Sequence, residues 1–155
     1  YAKEKESWRP KSEYVYSLSP VPKSSKGLVS NGKIGATEII PNRPNKVIVL
    51  ERSYLPKVNE ASAKLFLADF TQATNVLSYF SLRGKKFKPM EKKEIFDIKT
   101  LEQHFTQKKL RIDNFEGMCI TKLPKGPRLL ILVSDNNFNK KQETIFLALK
   151  IPDQL

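Results

Sequence analysis

The chain of 155 residues carries 28 Lys and Arg against 16 Asp and Glu, a formal net charge of +12. That length suffices for one domain with its own core, and the charge favours anionic partners such as phosphate esters, nucleic acid or an anionic lipid surface. One Cys and one His exclude an intrachain disulfide and a Cys/His zinc centre, and they leave a Ser-His-Asp triad a single possible base.

Apolar runs stop at five residues, as in 129–133, far short of the roughly 20 that a membrane helix needs. Residues 1–12 are polar, hold Trp8 and Pro10, and read as an irregular lead-in. Residues 13–18 (EYVYSL) alternate polar with apolar, which predicts a strand. Residues 19–35 form a loop with a turn signal at Asn31-Gly32. Strands are then predicted over 36–40 and 46–54 (KVIVLERSY), separated by a turn at Pro41 and Pro44. After a loop at 55–62, 63–70 (AKLFLADF) reads as a strand, and 71–90 as a long polar, basic connection. A weaker strand covers 92–98. Residues 100–107 make the only credible helix, with Thr100 or Asp97 as its cap. Strands follow at 115–123, 128–134 and 144–151, separated by the tight turn 124–127 and the polar loop 135–143. Many short strands between Pro, Gly and Asn turns indicate an antiparallel all-β fold. Cys119, between Met118 and Ile120, reads as a core residue, and His104 as a surface one.

Arg83, Lys85, Lys86, Lys88, Lys92 and Lys93 are opposed only by Glu91. This run reads as a solvated loop. Phe87 is its only aromatic residue, so a stacking platform for nucleic acid is not favoured there.

Two stretches share one grammar. Glu38 leads through a turn to Val47–Leu50, a polar tip and then Leu65; Glu116 leads through a turn to Leu130–Val133, a polar tip and then Ile145. The offsets are 78, 83 and 80 residues, as a duplicated unit of strands would leave. Repeated antiparallel units are the pattern of propeller blades. On this reading 36–98 is one blade, 115–151 a last partial blade and 13–18 the outer strand of a preceding blade. About two blades fall short of the four to eight that close a propeller. The chain, which begins with Tyr1, is therefore expected to be a fragment whose partner is the remainder of the propeller. The alternative is a small β-sandwich or barrel.

The segment Asp113-Asn114-Phe115-Glu116-Gly117-Met118, the stretch 130–138 (LILVSDNNF), Gln142 with Thr144, and Val49-Leu50-Glu51-Arg52-Ser53-Tyr54 resemble, in order, the signatures of the phytase-like domain family, also described as showing esterase-like activity of phytase. The resemblance spans 13–151 and implies the C-terminal portion of a β-propeller. It also implies a bacterial protein exported to the periplasm or medium, and hydrolysis of an ester, phosphate monoesters included. Phytate-type chemistry on a propeller would further imply Ca²⁺.

The acidic and amide residues stand at strand ends. Glu51-Arg52 and Asp135-Asn136-Asn137 follow buried strands at equivalent points, and Glu38 and Glu116 begin the innermost strands. Glu38, Glu116 and Asp135 are candidate metal ligands, since carboxylates are the hard donors that Ca²⁺ takes. Glu116, Glu51 and Arg52 are candidate catalytic residues. Arg52, Asn114, Asn136 and Asn137 are candidate substrate-binding residues, Arg52 through a bidentate fork to phosphate. Structural alternatives stand beside these: a Glu51–Arg52 ion pair, an Asx-turn at Asp135, and a plain turn at Asp113-Asn114. Glu116 lies among apolar residues and needs a partner if buried. No Gly-x-Ser-x-Gly elbow or Walker loop is present. The expectations are thus a metal-assisted ester or phosphoester hydrolase or, from another class, a non-catalytic propeller module for anionic ligands. The substrate expected is a small anionic or ester compound, with no membrane span and no nucleic acid.

Overall fold

The computed structural model describes residues 2–4, 7–24 and 31–153. It is all-β, with two antiparallel sheets of four and three strands and one short helical segment. The lead-in forms a small pair, β1 (Ala2–Glu4) and β2 (Ser7–Arg9), where an irregular segment was expected. Sheet one is the meander β3 (Lys33–Arg43), β4 (Lys46–Leu55), β5 (Glu60–Asp69) and β6 (Glu91–Asp97). Sheet two is the meander β7 (Phe115–Lys122), β8 (Arg128–Ser134) and β9 (Phe146–Ile151). Between them lie a 3₁₀ turn (Ile98–Leu101) and the helix α1 (Glu102–Gln107). The cap is Asp97, whose Oδ1 accepts the Lys99 N–H at 2.9 Å.

The strands follow from composition. β4 opens on Val47, Ile48, Val49 and Leu50, a run that suits a strand buried on both faces. One face turns Ile48 and Leu50 inward, joined by Ala63 and Leu65 of β5. Against them pack Ile98, Phe105, Phe115, Met118, Leu130 and Leu132, so the main core lies between the two sheets and under α1. Phe105 meets Phe115 edge to face, with ring centres 6.5 Å apart. The opposite face of β4 and β5 carries Val49, Glu51, Ser53, Ser62 and Phe66, all buried.

Residues 13–18, expected as a strand, have no regular secondary structure. Their alternation serves a strap across this second face rather than a ladder. Tyr14 stacks on Phe70 (4.9 Å), and Tyr16 reaches Glu51 at 2.7 Å. The backbone bonds go to the 71–90 connection instead: Val76 N–H to Glu13 O and Met90 N–H to Val15 O, both 2.8 Å.

The two meanders are register copies. β3 slips against β4 between Ala36 and Glu38, and β7 slips against β8 between Phe115 and Gly117. Each slip is a β-bulge, in which one extra residue bends the strand. The bulged residues are Thr37 and Glu116, so Thr37, and not Glu38, is the structural counterpart of Glu116. At the second bulge a side chain on Gly117 would meet Val133 Cγ1 at 2.9 Å, so any larger residue there would displace Val133.

Cys119 is exposed, not part of the core. Met118 points inward, and the two-residue period of a strand turns its neighbour outward despite apolar flanks. His104 is exposed, as expected. No helix among the described residues is long and apolar enough to cross a membrane.

Two substitutions test this packing. Leu50, fully buried, should cost about 2–5 kcal/mol when cut to alanine, read as a lower urea midpoint with an unchanged slope. Cys119→Ala should stay within about 0.5 kcal/mol, and Cys119 should react with a thiol reagent in the folded protein at the rate of a free thiol. Labelling that requires denaturant would contradict the register of β7.

Candidate functional site

A cleft of about 630 Å³ opens where the end of β4, the start of β5, α1 and the segments 110–114 and 137–142 meet. Its cations are Arg52, Lys99, Arg111 and Lys141, and it carries several amides, among them Asn114 and Gln142. The carboxylates Glu60, Glu102 and Asp113 complete the charged lining.

The edge of the cleft is organised by a joint between the sheets. Arg52 lies on the face of β4 that looks toward sheet two, and the bulge in β7 presents Glu116 to it. The Arg52 guanidinium stands 3.3 Å from Glu116 Oε1. Asn114 Nδ2 donates to the same oxygen at 2.7 Å. Asn114 is buried, and its carbonyl accepts the Asp135 N–H at 2.9 Å. Asp113 is buried beside it; its Oδ1 accepts from Gln142 Nε2 (2.6 Å) and from the Asn114 N–H (2.9 Å). Arg111 approaches Asp113 at 3.9 Å and donates to the Lys141 carbonyl at 2.8 Å. Asn137 Nδ2 donates to Gln142 Oε1 at 3.3 Å. Every buried polar group in this chain of contacts has a partner, which fixes the floor of the cleft.

Of the residues singled out from sequence, Arg52, Glu116 and Asn114 come together, and Asn137 lines the same cleft. Asn136 turns its side chain to its own loop, where Oδ1 accepts the Phe138 N–H at 3.0 Å. Asp135 does likewise, with Oδ1 accepting the Asn137 N–H at 2.9 Å. This is the Asx-turn alternative. Asp113, Gln142, Arg111, Lys99 and Lys141 are cleft residues that sequence reasoning passed over. Asp113 and Gln142 stood inside the quoted motifs, and their pairing across 29 residues was the missing signal.

Glu51 is not part of this cleft and does not pair with Arg52. Adjacent residues of a strand point to opposite faces, so Glu51 lies under the strap. There it is 2% exposed. It accepts from Lys92 Nζ (2.7 Å), from the Tyr16 hydroxyl (2.7 Å) and from the Ser19 N–H (3.3 Å). Lys92 also lies over the rings of Phe66 (4.4 Å) and Tyr16 (5.0 Å). Burial by itself pushes the Glu51 carboxyl up, but the hydrogen bonds from Lys92, Tyr16 and Ser19 outweigh it and hold it below its usual 4.5. Burial and the bond to Glu51 push the Tyr16 hydroxyl far up. The lysine that sequence placed in a solvated basic run is therefore the counter-ion of a buried carboxylate.

The expected Ca²⁺ ligands do not fit that ion. Glu38 Oε1 accepts the N–H of Ile39 on its own strand (3.0 Å), Glu116 is held by Arg52 and Asn114, and Asp135 closes its turn. Among the described residues no group of three or more His, Cys, Asp or Glu converges. A dication taking six to eight oxygens would also sit beside the Arg52 guanidinium.

Glu51→Gln should lower stability at pH 7 by about 2–3 kcal/mol, because it leaves Lys92 without its charge partner in a mostly buried site. The folded-state carboxyl lies below its unfolded value, so its contribution is present above pH 4.5 and is lost as pH falls through the folded value. Urea midpoints of the protein and the variant should converge on acidification below that point. A gap that persists would assign the loss to packing.

The phytase-like family, described as esterase-like activity of phytase, has a sequence profile that matches residues 2–138. Neither the curated proteins nor the solved structures contain a significant match. The matched span runs from β1 through the joint and the Asx-turn that closes the cleft, and on that match over most of its length the chain belongs to the phytase-like family.

Proposed function

We propose that the protein is an exported hydrolase of ester substrates, phosphate esters included, and that the cleft holds the anionic part of the substrate. The two meanders then serve as blade-like units of a propeller. The observation that carries this reading is the Arg52–Glu116–Asn114 joint at the edge of a cation-lined cleft.

Each residue has a role that its position supports. Among the described residues both bonds to Glu116 fall on Oε1, and Oε2 is left to accept from a water molecule. The side chain is 38% exposed, so water reaches it. Deprotonated by Glu116, that water attacks the ester carbon or phosphorus; the new O–C or O–P bond forms, the bond to the leaving oxygen breaks, and the proton rests on Glu116. Arg52 donates to an anionic substrate oxygen, where its planar fork adds direction to charge. Lys99 and Arg111 add positive charge in the same cleft. No step is routed through a metal ion.

p-Nitrophenyl acetate and p-nitrophenyl phosphate distinguish the two ester classes. Glu116→Gln should lower kcat at least 100-fold on the preferred probe and leave KM within about threefold, the range general-base catalysis supplies. Arg52→Ala should raise KM about tenfold or more, and Arg52→Lys should restore only part of it. If neither probe is cleaved faster than in buffer, and inorganic phosphate still binds in a manner sensitive to Arg52→Ala, the protein is a binding module for anions and not a hydrolase.

A further inference from the structure

The connection between β5 and β6 contains no acidic residue from 70 to 90. Its base is closed by a pair of bonds: Thr74 N–H to Lys88 O (2.9 Å) and Lys88 N–H to Thr74 Oγ1 (2.8 Å). Val76, 4% exposed, anchors it, and two backbone bonds tie it to the strap. Beyond that base the chain turns on itself. Tyr79 N–H donates to Val76 O (2.8 Å), Arg83 N–H to Ser81 Oγ (3.1 Å) and Lys85 N–H to Leu82 O (3.1 Å). Gly84 takes a left-handed conformation at φ 72°. The projection is a built element with its own hydrogen bonds.

This element presents apolar groups to water. Phe80 is fully exposed, and Leu77 and Leu82 are 37% and 41% exposed. Beside them Arg83, Lys85 and Lys86 are exposed and have no ion-pair partner among the described residues. Lys88 is paired with Glu91 at the rim (2.7 Å). An aromatic side chain held in water by an ordered loop gains no contact there. A surface that is anionic outside and apolar beneath answers both halves of the pattern. Nucleic acid answers the charge, but it gives Leu77 and Leu82 nothing to contact, and Tyr79 and Phe87 are half-buried rather than free to stack.

We infer that residues 77–86 form a docking loop that seats the protein on an anionic lipid surface. Phe80, Leu77 and Leu82 enter the boundary between headgroups and acyl chains, and Arg83, Lys85 and Lys86 lie over the headgroups. β5 enters this connection at Asp69 and β6 leaves it at Glu91, whereas the cleft is built at the Tyr54–Ala61 end of the same sheet. Docking therefore leaves the cleft open to water. The inference does not depend on the hydrolase reading.

Co-sedimentation with vesicles of phosphatidylcholine alone, and of phosphatidylcholine mixed with phosphatidylglycerol, tests it. The protein should bind the mixed vesicles and not the neutral ones. Lys85→Ala and Lys86→Ala should each weaken binding about fivefold, and Phe80→Ser about tenfold or more. Raising the salt to about 1 M should release the protein, since screening then acts within about 3 Å. In a Phe80→Trp variant the added emission should shift to the blue on mixed vesicles. All three positions are exposed, and far-ultraviolet dichroism should be unchanged in each of the four variants. Failure to bind the mixed vesicles overturns the proposal, and so does binding that is indifferent to Phe80→Ser, which is adsorption by charge alone. Tighter binding to a single-stranded oligonucleotide, with the same loss on Phe80→Ser, assigns the loop to nucleic acid and also overturns it.

Discussion

The rest of the structure depends on one strand being covered on both faces. β4 sends Ile48, Leu50 and Arg52 toward the second sheet and Val49, Glu51 and Ser53 toward the strap. A strand so placed has little solvent face on which to leave a charge, so a charged residue in its covered part needs a partner brought from elsewhere. Lys92 and the strap supply one for Glu51, and the bulged strand β7 supplies one for Arg52. Two successive residues of the chain thus create two unlike environments. One is closed and structural; the other is open at the edge of a cleft.

The bulges explain how the second environment arises. Without the extra residue in β7, Glu116 would keep strict alternation with its neighbours; the slip re-aims it toward Arg52. The equivalent slip in β3 carries Thr37, whose hydroxyl lies 3.4 Å from both the Leu50 and Phe115 carbonyls. The same backbone device therefore holds the two sheets together at Thr37 and presents a carboxylate at Glu116. One copy of the bulge thus serves cohesion between the sheets, and the other holds a carboxylate at the edge of the cleft.

Much of this was legible in the residues. The β-branched runs of β4 and β8 specified strands to within a residue, because such runs have few alternatives. Asp97 as a cap and the Asn-rich loop after β8 followed from side-chain to backbone bonding, which is local. What was not legible depends on which face of a sheet a long connection covers. Residues 13–18 have a strand's alternation but lie as a strap, because their contacts are with 51, 76 and 90, and no local signal names those. Cys119 was misplaced because its apolar neighbours outvoted the two-residue period. A Glu51–Arg52 ion pair, one of the alternatives that their adjacency suggests, is ruled out by the same period, which places neighbouring strand residues on opposite faces. The cleft cations are scattered over four segments, and only folding collects them.

The strap has a consequence for how the chain comes to its final form. Glu51 receives its cation from a residue 41 positions later, and Lys92 also bonds to Ser19, 73 positions earlier. On a ribosome, the carboxylate and the strap emerge before the lysine that reconciles them with burial. Contacts of such separation form late, after the loop entropy between them has been overcome. The second face of sheet one therefore gains its full cover only once β6 brings Lys92 to both Glu51 and the strap.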